Sequence, residues 1–319
     1  MLTYILFIAG FFLLIKGADL LVDGSTSVAK KLNISNIVIG LTIVAFGTSA
    51  PEFIVNIFAS IQGNTEIAIG NILGSNIANI LLILGISAII YPLTAKKNTI
   101  LKEIPLSLLA IIVLGFMAND AIIDDVAFSG ITRIDGFILL SFFIIFLYYT
   151  FGITKSTNDI AEKNQIKAYG YTKTILLIIL GLIGLTVGGK WIVDGAVKIA
   201  ELFNVSQSLI GLTIIAIGTS LPELATSAVA AYKKQSDIAI GNVVGSNIFN
   251  IFWILGASAI IRPLPFNADY NGDIAMTVLA SALLFLVMFI GKKRVIERWQ
   301  GIFMVTTYVG YIVFLILTK

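Results

Sequence analysis

Shifted by 171 residues, the sequence falls on itself: Asn33–Leu93 overlies Asn204–Leu264 without a gap, and 34 of the 61 aligned positions are identical. A match of that length does not arise by chance, so any fold for this chain has to contain one structural unit twice. Within it, IGLTIVAFGTSAPE (39–52) pairs with IGLTIIAIGTSLPE (210–223), and IAIGNILGSNIANI (67–80) pairs with IAIGNVVGSNIFNI (238–251). The register extends back to Asp23-Gly24 over Asp194-Gly195.

The repeated unit is too apolar for water. Hydrophobic residues make up 58% of the chain and charged residues 12%, more apolar surface than one soluble core can hide. Many apolar segments reach the ~20 residues that a helix rising ~1.5 Å per residue needs to cross ~30 Å of hydrocarbon. They lack the alternation of a membrane barrel's strands. The chain therefore reads as an all-α polytopic membrane protein of about ten transmembrane helices, at roughly 2–30, 34–61, 65–92, 98–118, 133–152, 172–201, 205–232, 236–261, 272–291 and 297–317. The first stretch lacks a basic leader and a small-residue cleavage site, and reads as a span rather than a signal peptide.

Basic residues set the orientation. Lys30, Lys31, Lys96, Lys97, Lys102, Lys155, Lys163, Lys167, Lys233, Lys234, Lys292, Lys293 and Arg294 follow odd-numbered spans, which puts those loops in the cytoplasm and both termini outside. The alternate loops carry Glu66, Asp120, Asp124, Asp125, Asp135, Asp269 and Asp273, which read as solvated surface. Five spans separate equivalent positions, and an odd number turns the second copy upside down. The expected layout is a first five-helix repeat (1–152), a cytoplasmic linker (153–171) too short for a regulatory domain, and a second, inverted five-helix repeat (172–319). The plasma membrane is the expected location.

Chemistry concentrates at the two GTSxPE segments. Each places a proline in mid-span, where the missing N–H and the ring's clash with the carbonyl four residues back break the helix. Irregular backbone at membrane depth is tolerated only where something polar satisfies it. Thr48, Ser49, Thr219 and Ser220 add hydroxyls before each break, and Glu52 and Glu223 add carboxylates after it. With no cysteine or histidine in the chain, any metal meets oxygen. No lysine or arginine lies between Lys31 and Lys96 or between Lys198 and Lys233, so these spans carry no fixed counterion. Structural readings compete: a proline kink is a common helix device, and Lys16 or Lys190 is a possible partner for a glutamate. The repetition of proline, glutamate and two hydroxyls at symmetric positions favours a cation site. Gly70-x-x-x-Gly74 and Gly241-x-x-x-Gly245 read as close helix packing, which would bring Ser75, Asn79, Ser246 and Asn250 against the glutamates. Asn71, Asn76, Asn242 and Asn247 read as amides that interlock helices, and Asp19, Asp23 and Asp194 as structural or vestibule charges.

The paired GTSAPE and GTSLPE segments, followed by GSNIAN and GSNIFN, resemble the two alpha-repeats of the Ca2+/cation antiporter superfamily, in its Na+/Ca2+ exchanger branch. The resemblance implies a cluster of cation sites lined by Thr48, Ser49, Glu52, Ser75 and Asn79 with their mates Thr219, Ser220, Glu223, Ser246 and Asn250. It adds the backbone carbonyls of Ala45 and Ala216, and likens the long first and sixth helices, read as loosely joined, to the family's sliding gate. In the family's K+-dependent branch an aspartate stands at the position of Asn250, so K+-independent exchange is expected here.

Two carboxylates neutralise one Ca2+, which takes roughly six to eight oxygens. Na+ of similar size can occupy the same oxygens, and the resemblance implies three Na+ per Ca2+, hence electrogenic exchange by alternating access. The expected partners are Ca2+, Na+ and the bilayer, with no resident cofactor, no nucleic acid and no enzyme chemistry. A Ca2+/H+ antiporter is the nearest rival and a passive cation channel is one of another class. An intramembrane aspartyl protease would need two facing aspartates in place of these glutamates.

Overall fold

The computed structural model describes residues 2–153, 169–203 and 216–318. A long helix α1 (Leu2–Leu32) is followed by a bent pair, α2 (Asn36–Thr48) and α3 (Ala50–Gln62), which meet at 48°. Helices α4 (Thr65–Ile90), α5 (Thr99–Ala118) and α6 (Arg133–Ile153) complete the first half. The second half supplies α7 (Tyr171–Leu202), the short α8 (Ala216–Thr219), α9 (Leu221–Tyr232), α10 (Ser236–Ile261), α11 (Asn271–Val287) and α12 (Arg298–Thr318). Among the described residues eight helices are long and apolar enough to cross a membrane, or nine with the bent pair counted as one span. The expected seventh span, 205–232, which would bring the count to ten, is described only from residue 216, and the linker at 153–171, with Lys155, Lys163 and Lys167, falls almost wholly outside the described residues.

The polarity is that of a chain in lipid. Ile8, Phe12, Ile144, Ile183 and Phe303 point outward from their helices, whereas Glu52, Glu223 and a set of serines and asparagines are buried. The protein is integral to the membrane.

Local sequence explains each break. Pro51 and Pro222 sit in the first turns of α3 and α9, where a missing N–H has no helical acceptor to lose. At its far end α3 closes on Gly63 in the left-handed region (φ 83°). The corresponding turn after α9 puts Lys234 at φ 60°, a conformation that costs a residue with a Cβ more than glycine. Four described helices also carry π-helical stretches: Gly40–Val44 in α2, Thr99–Glu103 in α5, Ala78–Leu84 in α4 and Phe249–Leu255 in α10. The last two are equivalent under the 171-residue shift.

Helices α1 and α7, equivalent in the repeat, run antiparallel along a seam of glycines. A Cβ on Gly10 would lie 2.9 Å from the carbonyl oxygen of Gly188, and one on Gly17 would lie 2.8 Å from that of Gly181. The seam is self-matching, because Gly10, Gly17 and Gly24 become Gly181, Gly188 and Gly195 under the shift. The two helices likened to a sliding gate are thus in near backbone contact with each other. At one end of the molecule the Lys233 ammonium reaches Asp19 Oδ1 at 2.6 Å and Asp23 Oδ1 at 2.7 Å, tying α9 to α1. Asp19 and Asp23 are therefore structural charges, as their position suggested.

Two small antiparallel ladders join the halves. β1 (Leu93–Thr94) pairs with β4 (Val295–Ile296), and β2 (Gly130–Ile131) pairs with β3 (Leu264–Pro265). An all-α expectation missed them, since two residues are too few to show strand alternation. A second correction concerns Asp273. Its place beside an outer loop suggests solvated surface, but it lies buried in the first turn of α11, where it accepts a hydrogen bond from Tyr311 Oη of α12. The tyrosine, 38 residues away, is what the local sequence could not supply.

Candidate ion-binding site

The two helix breaks face one another across the centre, and each hydroxyl reaches the other half's glutamate. Ser49 donates to Glu223 Oε1 at 2.9 Å, and Ser220 donates to Glu52 Oε1 at 3.3 Å. Behind them stand Ser246 Oγ, 3.0 Å from Ser49 Oγ, and Ser75 Oγ, 3.2 Å from Ser220 Oγ. The expected approach of Ser75 to Glu52 thus takes place through the opposite half's serine, whereas Ser246 also donates directly to Glu223 Oε1 at 3.5 Å. Glu52 and Glu223 are each 1% exposed. Neither has an ion-pair partner among the described residues, and Lys16 and Lys190 are exposed on α1 and α7. The lysine-paired alternative is therefore set aside.

The threonines are held differently. Thr48 donates to Asn242 Oδ1 at 3.0 Å, and Thr219, only partly buried, donates to Asn71 Oδ1 at 3.3 Å. The Ala45 carbonyl accepts the Ser49 N–H at 3.0 Å, whereas the equivalent Ser220 N–H turns to Ile217 rather than Ala216, at 3.1 Å. The Ala216 side chain and residues 204–215 lie outside the described residues. Gly241 and Gly245 make the close packing expected of them, with Cβ positions 3.0 Å from Gly40 Cα and 2.8 Å from the Leu41 carbonyl oxygen. The counterparts of those contacts, for Gly70 and Gly74, would fall on 208–216.

Asn79 and Asn250 sit on the π-helical stretches of α4 and α10. Asn79 Nδ2 donates to Asn247 Oδ1, and Asn250 Nδ2 to Asn76 Oδ1, both at 2.9 Å. Every amide donor is thereby turned away, and the carbonyl ends are left over. Glu52 Oε2, Glu223 Oε2, Asn79 Oδ1 and Asn250 Oδ1 are all buried without a hydrogen-bond partner. An unsatisfied buried acceptor costs ~1–3 kcal/mol and more when charged, and these four fall at positions equivalent under the 171-residue shift. All four are hard oxygens, and two carry charge. Such a set suits a cation that prefers oxygen ligands. Among the described residues no group of three or more acidic residues could hold a metal, so neutral oxygens would have to complete the shell.

An aromatic clasp flanks one break only. Trp253 stacks on Phe53 at 4.4 Å and on Phe46 at 5.1 Å between ring centroids, bracketing Ser49 and Glu52 in sequence. The repeat puts Leu82, Leu224 and Ile217 at the corresponding positions. Sequence reading singled out neither this clasp nor the π-helical stretches. The aromatic substitutions within the repeat were a visible signal for the first, and there was none for the second.

The family model described as sodium/calcium exchanger protein matches residues 2–152 and 173–317. The chain belongs to that family. A putative antiporter CaxA of Alkalimonas amylolytica is 40% identical over 312 residues, 95% of each chain. A sodium/calcium exchanger MaX1 of Methanosarcina acetivorans is 32% identical over 344 residues, 98% of each. Among solved structures, the sodium-calcium exchanger NCX_Mj soaked without Na+ and Ca2+ superposes with a TM-score of 0.84 at 38% identity, covering 98% of both chains. The recognition drawn from the GTSxPE and GSNIxN motifs is therefore right, and this exchanger-family chain is an antiporter type of membrane protein.

Proposed function

We propose that the chain exchanges about three Na+ for one Ca2+ per cycle, electrogenically and without K+, through a single site at the centre of the molecule. The observation that carries this reading is the set of four buried, unpartnered oxygens on Glu52, Glu223, Asn79 and Asn250. Thr48, Ser49, Ser75, Thr219, Ser220 and Ser246, with the carbonyls of Ala45 and Ala216, complete the ligand set. A central charge of about −2 matches one Ca2+ or several Na+ and leaves nothing over for a co-transported K+. The bare site would carry two anions into low dielectric, which disfavours empty crossing and couples the two fluxes. Ten spans in two inverted five-helix repeats, both termini outside the plasma membrane, and alternating access around a fixed site complete the proposal. The antiparallel course of α1 and α7 favours the inversion.

The deciding experiment measures Ca2+ uptake into proteoliposomes driven by a Na+ gradient, with K+ replaced by choline. Uptake that collapses without Na+ and survives without K+ is the expected result, and an absolute K+ requirement would place the chain in the other branch. A proton-coupled antiporter is the second reading, because the relative at 40% identity is named only as an antiporter with no coupling ion stated. A pH gradient that drives Ca2+ uptake in the absence of Na+ would favour it.

A further inference from the structure

We infer that Asn76 and Asn247 are positioning residues, each of which sets the rotation of a ligand amide belonging to the other half. This rests on the ion site proposed above and concerns how two of its oxygens are aimed. A side-chain amide is nearly symmetric in shape, with an acceptor oxygen on one arm and a donor NH2 on the other, and a half-turn about its last torsion exchanges them. At Asn79 and Asn250 that half-turn decides whether a cation meets an oxygen or a pair of N–H groups. The first binds it and the second repels it.

Nothing on the ligand residues' own helices fixes the choice. What fixes it is the acceptor oxygen of a neighbouring amide: Asn76 Oδ1 accepts from Asn250 Nδ2, and Asn247 Oδ1 accepts from Asn79 Nδ2, each at 2.9 Å. The aiming residues are themselves oriented, because Asn76 Nδ2 donates to the Asn247 carbonyl at 3.4 Å and Asn247 Nδ2 to the Asn76 carbonyl at 3.5 Å. Their amide nitrogens therefore face the opposing backbone and their oxygens face the ligand amides. All four residues are at most 2% exposed, so water does not compete for these bonds. The bonds form a closed ring across α4 and α10, and the ring leaves the Oδ1 atoms of Asn79 and Asn250 buried without a partner. A helix-interlocking role accounts for the bonds to backbone but not for two carbonyl oxygens left unpartnered on the same side of the exchange.

The test is a double-mutant cycle read in the KM for Ca2+ of Na+-driven uptake, on variants that elute as folded protein. Asn76→Leu, close in volume and unable to accept, frees the Asn250 amide to turn, and KM should rise about tenfold with kcat changed less. A carboxylate at position 250 presents an oxygen in either rotation. In an Asn250→Asp background, whose own KM is the reference, adding Asn76→Leu should therefore change KM less than about twofold. Adding Asn247→Leu to the same background should keep its full effect, because Asn247 aims Asn79. A merely structural role predicts the same factor for Asn76→Leu in both backgrounds, and that result would overturn the inference. If Asn76→Leu does not fold, the mirror cycle of Asn247→Leu with Asn79→Asp puts the same question to the other pair. Absence of Na+-driven uptake by the unmodified protein would instead refute the proposed function, an outcome separate from either cycle.

Discussion

Glu52 and Glu223 each satisfy one carboxylate oxygen with a serine of the other half and leave the second without a donor. A glutamine at either position keeps the shape and one carbonyl oxygen but halves the charge facing a divalent ion, where screening is weak. Removing one partner of a buried charge interaction costs ~3–5 kcal/mol, so Glu52→Gln and Glu223→Gln should each lower Na+-driven Ca2+ uptake by at least about 100-fold. Near-normal flux in both variants would remove the carboxylates from the site. At this scale the sequence was informative because the ligand types recur with one spacing, and repetition separates chemistry from coincidence. It was less so for Asn76 and Asn247. Their duty lies in a bond to a residue on the opposite half, 174 and 168 positions away, and no local pattern encodes it.

Among the elements, the glycine seam between α1 and α7 leaves little room for change. A methyl at Gly17 would sit 2.7 Å from the Leu185 nitrogen, and one at Gly181 would sit 2.7 Å from the Leu21 nitrogen, both closer than any real contact. Backbone cannot swing aside as a side chain can, so the two helices would have to part. Gly17→Ala and Gly181→Ala should each destabilise by ~1–3 kcal/mol, read as a lower Tm in detergent. Gly310→Ala serves as the comparison, because nothing lies within 4 Å of its Cβ position and alanine is the better helix former there. An equal Tm loss at Gly310 would show that the seam is not special. Span positions followed from hydropathy with ends within a few residues, as at Arg133–Ile153 against an expected 133–152. The π-helical stretches did not follow, because an extra residue in one helical turn changes a hydrogen-bond pattern without changing composition.

At the scale of the whole molecule, orientation rests on where lysines collect. Exposed Lys97 follows the third span and exposed Asp124 follows the fourth, on opposite membrane faces by this reading. The chain has no native cysteine, so single cysteines can be placed cleanly. Asn119, at the end of α5, is a poor site, since it exchanges amide hydrogen bonds with Asn271 at 2.8 and 2.9 Å. In intact cells an impermeant thiol reagent should label Asp124→Cys and spare Lys97→Cys. The reverse pattern would turn the molecule over, and labelling of both would undo the span count. The pairing of β1 with β4 and β2 with β3 belongs to this scale as well, joining a segment of the first half to one of the second in each case.

One inequality between the halves bears on direction. Lys233 holds Asp19 and Asp23, whereas the shift puts Gln62, Lys190 and Asp194 in the matching places, so the second end cannot build the same knot. Two identical halves would make the carrier a mirror of itself, resting equally often open to either side. If the chain exchanges ions as proposed, a tie at one end alone would tilt that resting balance without touching the driving force, since the ion gradients fix where the cycle stops and the protein fixes only how it waits. The tilt should appear as unequal half-saturation by Ca2+ on the two faces of the membrane. The ion pairs are partly exposed, so the bias should be a few-fold at most and should shrink in high salt. Lys233→Met should bring the two values together, and an unaltered ratio would leave the knot a matter of stability alone.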